Sequence, residues 1–105
     1  MSSDIVINQT ELFKTWLASL SDERAKAKII IRIKRVSAGD FGDYKSLGDG
    51  VSELRIDVGK GYRVYYARQD KIVYLLLSGG DKSTQSKDIK AAKKMWEAIK
   101  KGEKL

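Results

Sequence analysis

The chain contains no histidine, no cysteine and no proline. Without histidine it lacks the side chain that most often titrates near neutral pH and acts as general acid or base. Without cysteine it has no disulfide, no thiolate nucleophile and no thiolate zinc site, which is compatible with a reducing compartment. Both absences remove the best ligands for metal-centred chemistry, and neither a metal nor a cofactor is expected. The lack of proline means that no loop is stiffened by a locked φ. There is also no apolar run of transmembrane length, and the opening MSSDIVINQT lacks the basic start and apolar core of a signal peptide. A cytoplasmic protein with no membrane partner is expected, whose chemistry falls to Arg, Lys and carboxylates.

The 105 residues suit one domain over residues 1–105, with a core between two layers of secondary structure. Lys and Arg number 21 against 14 Asp and Glu, a formal net charge of +7. Such an excess favours a polyanionic partner, nucleic acid or an acidic protein, although a solvated lysine-rich surface would give the same total. Arg24, Lys26, Lys28, Arg32, Lys34 and Arg35 form a run with no acid between them. The stretch from Lys82 to Lys104 is again lysine-rich, opposed by Asp88, Glu97 and Glu103. Both runs have helical spacing, so part of this charge is helix exterior.

Ile5 to Asn8 reads as a short opening strand. Thr10 is placed to cap a helix in which Leu12, Phe13, Trp16, Leu17 and Leu20 share a face. Ser21 or Asp22 can cap a second helix, with Ala25, Ile29, Ile33 and Val36 on one side and Gly39 as its stop. Residues 39–50, GDFGDYKSLGDG, read as a connecting loop. The period then changes. Leu54, Ile56 and Val58 alternate with Glu53, Arg55 and Asp57, the mark of a half-buried strand. Gly59-Lys60-Gly61 turns into a strand from Tyr62 to Arg68, and Gln69-Asp70-Lys71 turns into a strand from Ile72 to Ser78. The near-continuous apolar run of the last strand predicts burial on both faces. A final helix carries Ile89, Ala92, Trp96 and Ile99 on one face, with Gly102 near its end.

The predicted class is α+β, in the order β-α-α-β-β-β-α. An antiparallel sheet is expected, with the N-terminal helical pair on one face. The other face would be partly open and lined by Glu53, Arg55, Arg63 and Tyr65, with Lys82 at its rim. A cationic sheet surface of this kind suits phosphate binding.

That order, with the strings GVSELRI, GYRVYY and LLLSGGDKSTQSKDI, resembles the RelE/ParE superfamily of bacterial toxins. It is most similar to the HigB-like branch known as addiction-module killer or phage-derived Gp49-like proteins. The resemblance spans nearly the whole chain and implies a toxin of a type II toxin–antitoxin system. Many members are mRNA interferases, endoribonucleases that cut translated message at the ribosome; ParE-like members inhibit DNA gyrase instead. A noncatalytic basic RNA-binding module is a further reading of the same surface. The implied partners are a cognate helix-turn-helix antitoxin, ribosome and mRNA, and operator DNA through the antitoxin complex.

The resemblance assigns Arg63 to transition-state stabilisation, because a guanidinium holds two nonbridging phosphate oxygens in fixed geometry. Arg55 falls near a lysine of the ribosome-dependent relatives, for phosphate binding or transition-state charge, and Lys82 near another basic residue, for phosphate binding or protonation of the leaving oxygen. For both arginines the structural alternative is a cross-strand ion pair, with Glu53 or Asp57 as the partner of Arg63. Glu53 is the candidate general base, or else the group that orients Arg55 and Arg63; Asp81 is placed similarly. Tyr65, Lys60 and Lys87 are expected to contact RNA, Tyr65 by stacking. Ribonuclease members often carry Tyr or His in or near the C-terminal helix, whereas STQSKDIKAAKK offers Ser83, Gln85, Lys87 and Asp88. Proton transfer therefore falls to Lys82, Glu53 or Asp88.

Overall fold

The computed structural model describes residues 5–79 and 82–102, with the backbone alone at Lys82. Strand β1, Val6–Gln9, leads into helix α1, Glu11–Ser19, and helix α2, Glu23–Ser37. Four strands follow: β2, Tyr44–Gly48; β3, Val51–Ile56; β4, Tyr62–Gln69; and β5, Ile72–Gly79. A 3-10 turn, Lys82–Thr84, then opens helix α3, Gln85–Lys100. The fold is α+β, with an N-terminal helical pair and a C-terminal helix as predicted.

The sheet has five strands in the order β1-β5-β4-β3-β2. Strands β2 to β5 form an antiparallel meander, but β1 lies parallel to β5, so the sheet is mixed rather than antiparallel throughout. Parallel neighbours need a long connection, and here α1, α2 and the first three meander strands supply it. Strand β2 is a second departure, since residues 44–48 lie inside the segment read as a loop. Tyr44-Lys45-Ser46-Leu47 is short, preceded by Gly42-Asp43 and followed by Gly48. Pairing with β3 holds it extended as an edge strand, with a register shift between Ser46 and Gly48.

Local capping fixes the helical pair. The Thr10 hydroxyl accepts from the Phe13 amide at 3.1 Å and donates to the Leu76 carbonyl at 2.7 Å. Its amide bonds the Leu75 carbonyl at 3.1 Å, so one buried residue both starts α1 and ties it to β5. Asp22 Oδ1 accepts from the Ala25 amide at 3.0 Å to start α2. Gly39, at φ 93°, follows its end in the left-handed conformation of a helix stop.

Two apolar layers result, one on each face of the sheet. Phe13, Ala25, Ile29 and Val36 from the helices pack on Leu54, Val64, Val73 and Leu75. Leu12 does not join them; at 57% exposure it lies on the outer side of α1. On the opposite face Ala92 and Trp96 of α3 cover Val51, Tyr65, Ala67, Leu76 and Leu77. Strand β5 is thus covered on both sides, as its unbroken apolar run predicts. Close approach by α3 requires glycine at position 50: a Cβ there would lie 2.8 Å from Trp96 Nε1, and φ is +80°. Because α3 occupies this face, Glu53 and Tyr65 are each 1% exposed, and the prediction that they line an open surface is corrected.

Candidate functional site

Strand alternation puts Val51, Glu53 and Arg55 on the α3 face of β3, and the register with β4 sets their neighbours. Arg55 lies directly opposite Arg63, and Glu53 opposite Tyr65. Two arginines facing each other across adjacent strands repel. Glu53 resolves this conflict. Its Oε2 accepts from Arg55 Nε at 3.0 Å and from Arg63 Nε at 3.3 Å.

The arrangement combines the two alternatives for these residues, because the ion pair leaves the business ends of the arginines available. Each guanidinium is held through Nε, on the stem side, and among the described residues no hydrogen bond engages its terminal nitrogens. The Glu53 side chain is 1% exposed, against 41% for Arg55 and 22% for Arg63, so the carboxylate is the floor and the cations are the surface. A cleft of about 260 Å³ opens here, lined by both arginines with Asp43, Asp57 and Tyr62.

Arg32 of α2, to which the sequence assigned no role, fixes the rim of that cleft. Its Nη1 donates to the Arg55 carbonyl at 2.6 Å, and its Nη2 to the carbonyls of Phe41 at 2.9 Å and Asp43 at 3.1 Å. One side chain thereby ties the helical pair to β3 and to the segment that enters β2. The Ser78 hydroxyl donates to the Arg63 carbonyl at 2.7 Å and secures the β4 side.

The remaining predicted residues are placed less uniformly. Lys60 is exposed in the turn between β3 and β4, its Nζ 5.9 Å from the centroid of the Tyr62 ring. Lys87 is exposed near the start of α3. Asp81 and the side chain of Lys82 lie outside the described residues. Tyr65 has no exposed ring on which a base can stack. Burial, with the nearby carboxylates of Glu53 and Asp88 acting in the same direction, pushes its hydroxyl up to about 12 against an opposing effect from Arg63. A phenol that titrates there is neither an effective base nor an easily released acid near neutrality.

Asp88 approaches the site from α3. The Thr84 hydroxyl donates to its Oδ2 at 3.1 Å. The same carboxylate occupies the space that a Cβ on Gly79 would need, and that absent carbon would lie 3.6 Å from the Tyr65 ring. Since Gly79 pairs with Arg63, Asp88 stands beside the arginine row. Lys45 is a residue the sequence reading missed. It pairs directly with Glu53 from β2, and its position in a supposed loop concealed the alternation that brings it to this face. The available signal was the five-residue run between Gly42 and Gly48, short enough for an edge strand.

Among the described residues no group of three or more His, Cys, Asp or Glu side chains is placed to hold a metal ion. No helix among them is long and apolar enough to cross a membrane.

The α+β fold thus sets a pair of arginines on one buried carboxylate. The family model described as phage-derived protein Gp49-like matches residues 15–102, and the chain belongs to that family, which is RelE/HigB-like. The match includes Lys45, Glu53, Arg55, Arg63 and Asp88. The chain is also similar to an uncharacterized protein of Haemophilus influenzae (strain Rd), 58% identical over 89 residues that cover 85% of this chain and 90% of the relative.

Proposed function

We propose that this protein is the toxin of a type II toxin–antitoxin pair and acts in the cytoplasm as an mRNA interferase, cutting translated message at the ribosome without a metal. The observation that supports this reading is the arginine pair on one buried carboxylate oxygen. It is a partly exposed cation pair of the kind that stabilises charge on a phosphorane.

In the proposed reaction the 2′-oxygen forms a bond to phosphorus as the bond to the 5′-oxygen breaks, leaving a cyclic phosphate and a free 5′-hydroxyl. Arg63 and Arg55 hold the nonbridging oxygens. Glu53 is assigned to orienting them rather than to proton abstraction, because its Oε2 is occupied and its side chain is buried. Asp88 receives the proton of the 2′-hydroxyl, and Lys82 donates one to the leaving 5′-oxygen, a role it takes from the resemblance. The cognate antitoxin is a helix-turn-helix protein presenting acidic groups to the basic surface, and the complex binds operator DNA.

The second reading is inhibition of DNA gyrase by protein binding. Burial of Tyr65 favours it, since it removes one residue from proton transfer and base stacking.

The deciding experiment induces the protein without its antitoxin and maps the 5′ ends of message while following plasmid supercoiling. Discrete cuts within translated codons support the interferase; intact message with inhibited supercoiling supports gyrase. Arg63→Ala should lower cleavage by about 10²–10³-fold with the fold retained, as loss of one transition-state donor does. Full toxicity of that variant would show that the site is wrongly assigned.

A further inference from the structure

Lys45 lies at the end of a cross-strand row, Lys45–Glu53–Tyr65, and the adjacent row on the same face contains Arg55–Arg63–Gly79. Side chains directly opposite on antiparallel strands have Cβ atoms about 5 Å apart. The stem of Lys45 therefore starts beside Glu53, and its ammonium can reach the space over the arginines. Lys45 is exposed, and no ion pair engages it among the described residues. Its cross-strand neighbour does not claim it, because Glu53 directs Oε2 to the two arginines while Oε1 has no hydrogen-bond partner among the described residues.

Charge decides which way an RNA strand leaves the arginine pair. Asp57 lines the cleft toward the β3–β4 turn, and Asp43, whose carbonyl accepts from the Arg55 amide, adjoins Arg55 at the start of β2, so a phosphate chain directed past either meets a carboxylate. One row further from the turn, beside Glu53, it meets the Lys45 ammonium, which no ion pair engages among the described residues. Glu53 also neutralises one of the two arginine charges, leaving the trio with an excess of one positive charge. A strand carrying one negative charge per nucleotide gains from a second.

We infer that Lys45 is a substrate-binding residue that holds the phosphate next to the scissile one on the β2 side of the arginine pair. This rests on the RNA reading proposed above. Lys45 belongs to binding, whereas Arg63 belongs to the chemical step, and the two roles separate in measurement.

The test measures binding of a fully 2′-O-methylated single-stranded RNA oligonucleotide by fluorescence anisotropy over a range of salt concentrations. The methyl groups block the nucleophile, so binding is read without turnover. Lys45→Gln should weaken binding about two- to fivefold, the range for one exposed charge contact. It should also reduce the slope of log affinity against log salt by about 0.7, the value for one phosphate contact on a single strand. Lys45→Arg should restore both. In cleavage assays Lys45→Gln should raise KM with kcat held. If the wild type binds with a salt-dependent affinity and Lys45→Gln gives the same affinity and slope, the inference fails while the RNA reading stands. If the wild type shows no salt-dependent binding, the RNA reading fails and the inference with it.

Discussion

Glu53→Gln separates the charge of the site from its shape. Glutamine fills the same volume, so packing beneath α3 is retained while the buried negative charge is lost. A hydrogen bond to a charged group contributes about 1.5–3 kcal/mol when shielded. With a side chain 22% exposed, Arg63 belongs near the lower end of that range, at about 1.5 kcal/mol. Arg55, at 41%, is screened by solvent and falls to about 0.5 kcal/mol. The arginines are left facing each other uncompensated, which adds a few tenths of a kcal/mol at roughly surface-like dielectric. Against these stands the burial of a carboxylate whose Oε1 has no partner among the described residues, and a neutral amide relieves about 1 kcal/mol of that penalty. The net expectation is a loss of about 1–2 kcal/mol, read as a lower urea midpoint at unchanged slope. A double-mutant cycle with Arg63→Gln sharpens the test. In the wild type that change removes an ion pair, whereas in Glu53→Gln it removes a repulsion, so the two substitutions should couple by about 1 kcal/mol or more. Equal or greater stability of Glu53→Gln, together with additivity within about 0.5 kcal/mol, would refute the view that Glu53 holds the arginines together.

Thr10→Val keeps the shape of the side chain but removes both the cap of α1 and the bond to Leu76; it should destabilise by about 2 kcal/mol in thermal or urea unfolding, and a change below about 0.5 kcal/mol would show that the hydroxyl does not join α1 to β5. Tyr65 should make stability fall at alkaline pH. Its folded value near 12 exceeds the ordinary value of 10.0, so its contribution is complete below pH 10 and lost as pH rises from 10 through about 12. Tyr65→Phe should flatten the loss in that window and remove the most alkaline tyrosinate transition; persistence of both would contradict its burial.

Much of the architecture was legible because it is written in local pattern. The caps at Thr10 and Asp22, the helical stripes of Ala25–Ile29–Val36 and Ala92–Trp96, and the alternation through Arg55 and Arg63 each depend on residues near in sequence. Strand β2 escaped because four residues among glycines and aspartates have no period to read; pairing with β3 makes them a strand. Packing of α3 also had to be seen, since a helix stripe specifies that a face is buried but not which sheet surface receives it. That packing turned Tyr65 from an expected stacking platform into core, and Glu53 from an exposed carboxylate into a buried one.

The sequence by itself determined the chemical repertoire: no imidazole, no thiol, an excess of cations, and two arginines on strands whose alternation points them the same way. It also determined the helical pair and the meander, because capping and hydrophobic period act over a few residues. Tertiary structure decided what those cations do together. Only strand register could set Arg55 against Arg63, put Lys45 across from Glu53, and direct one buried oxygen to both guanidinium stems. Register is a relation between residues distant in the chain, settled by turns and by the faces that α2 and α3 cover. No local pattern contains it.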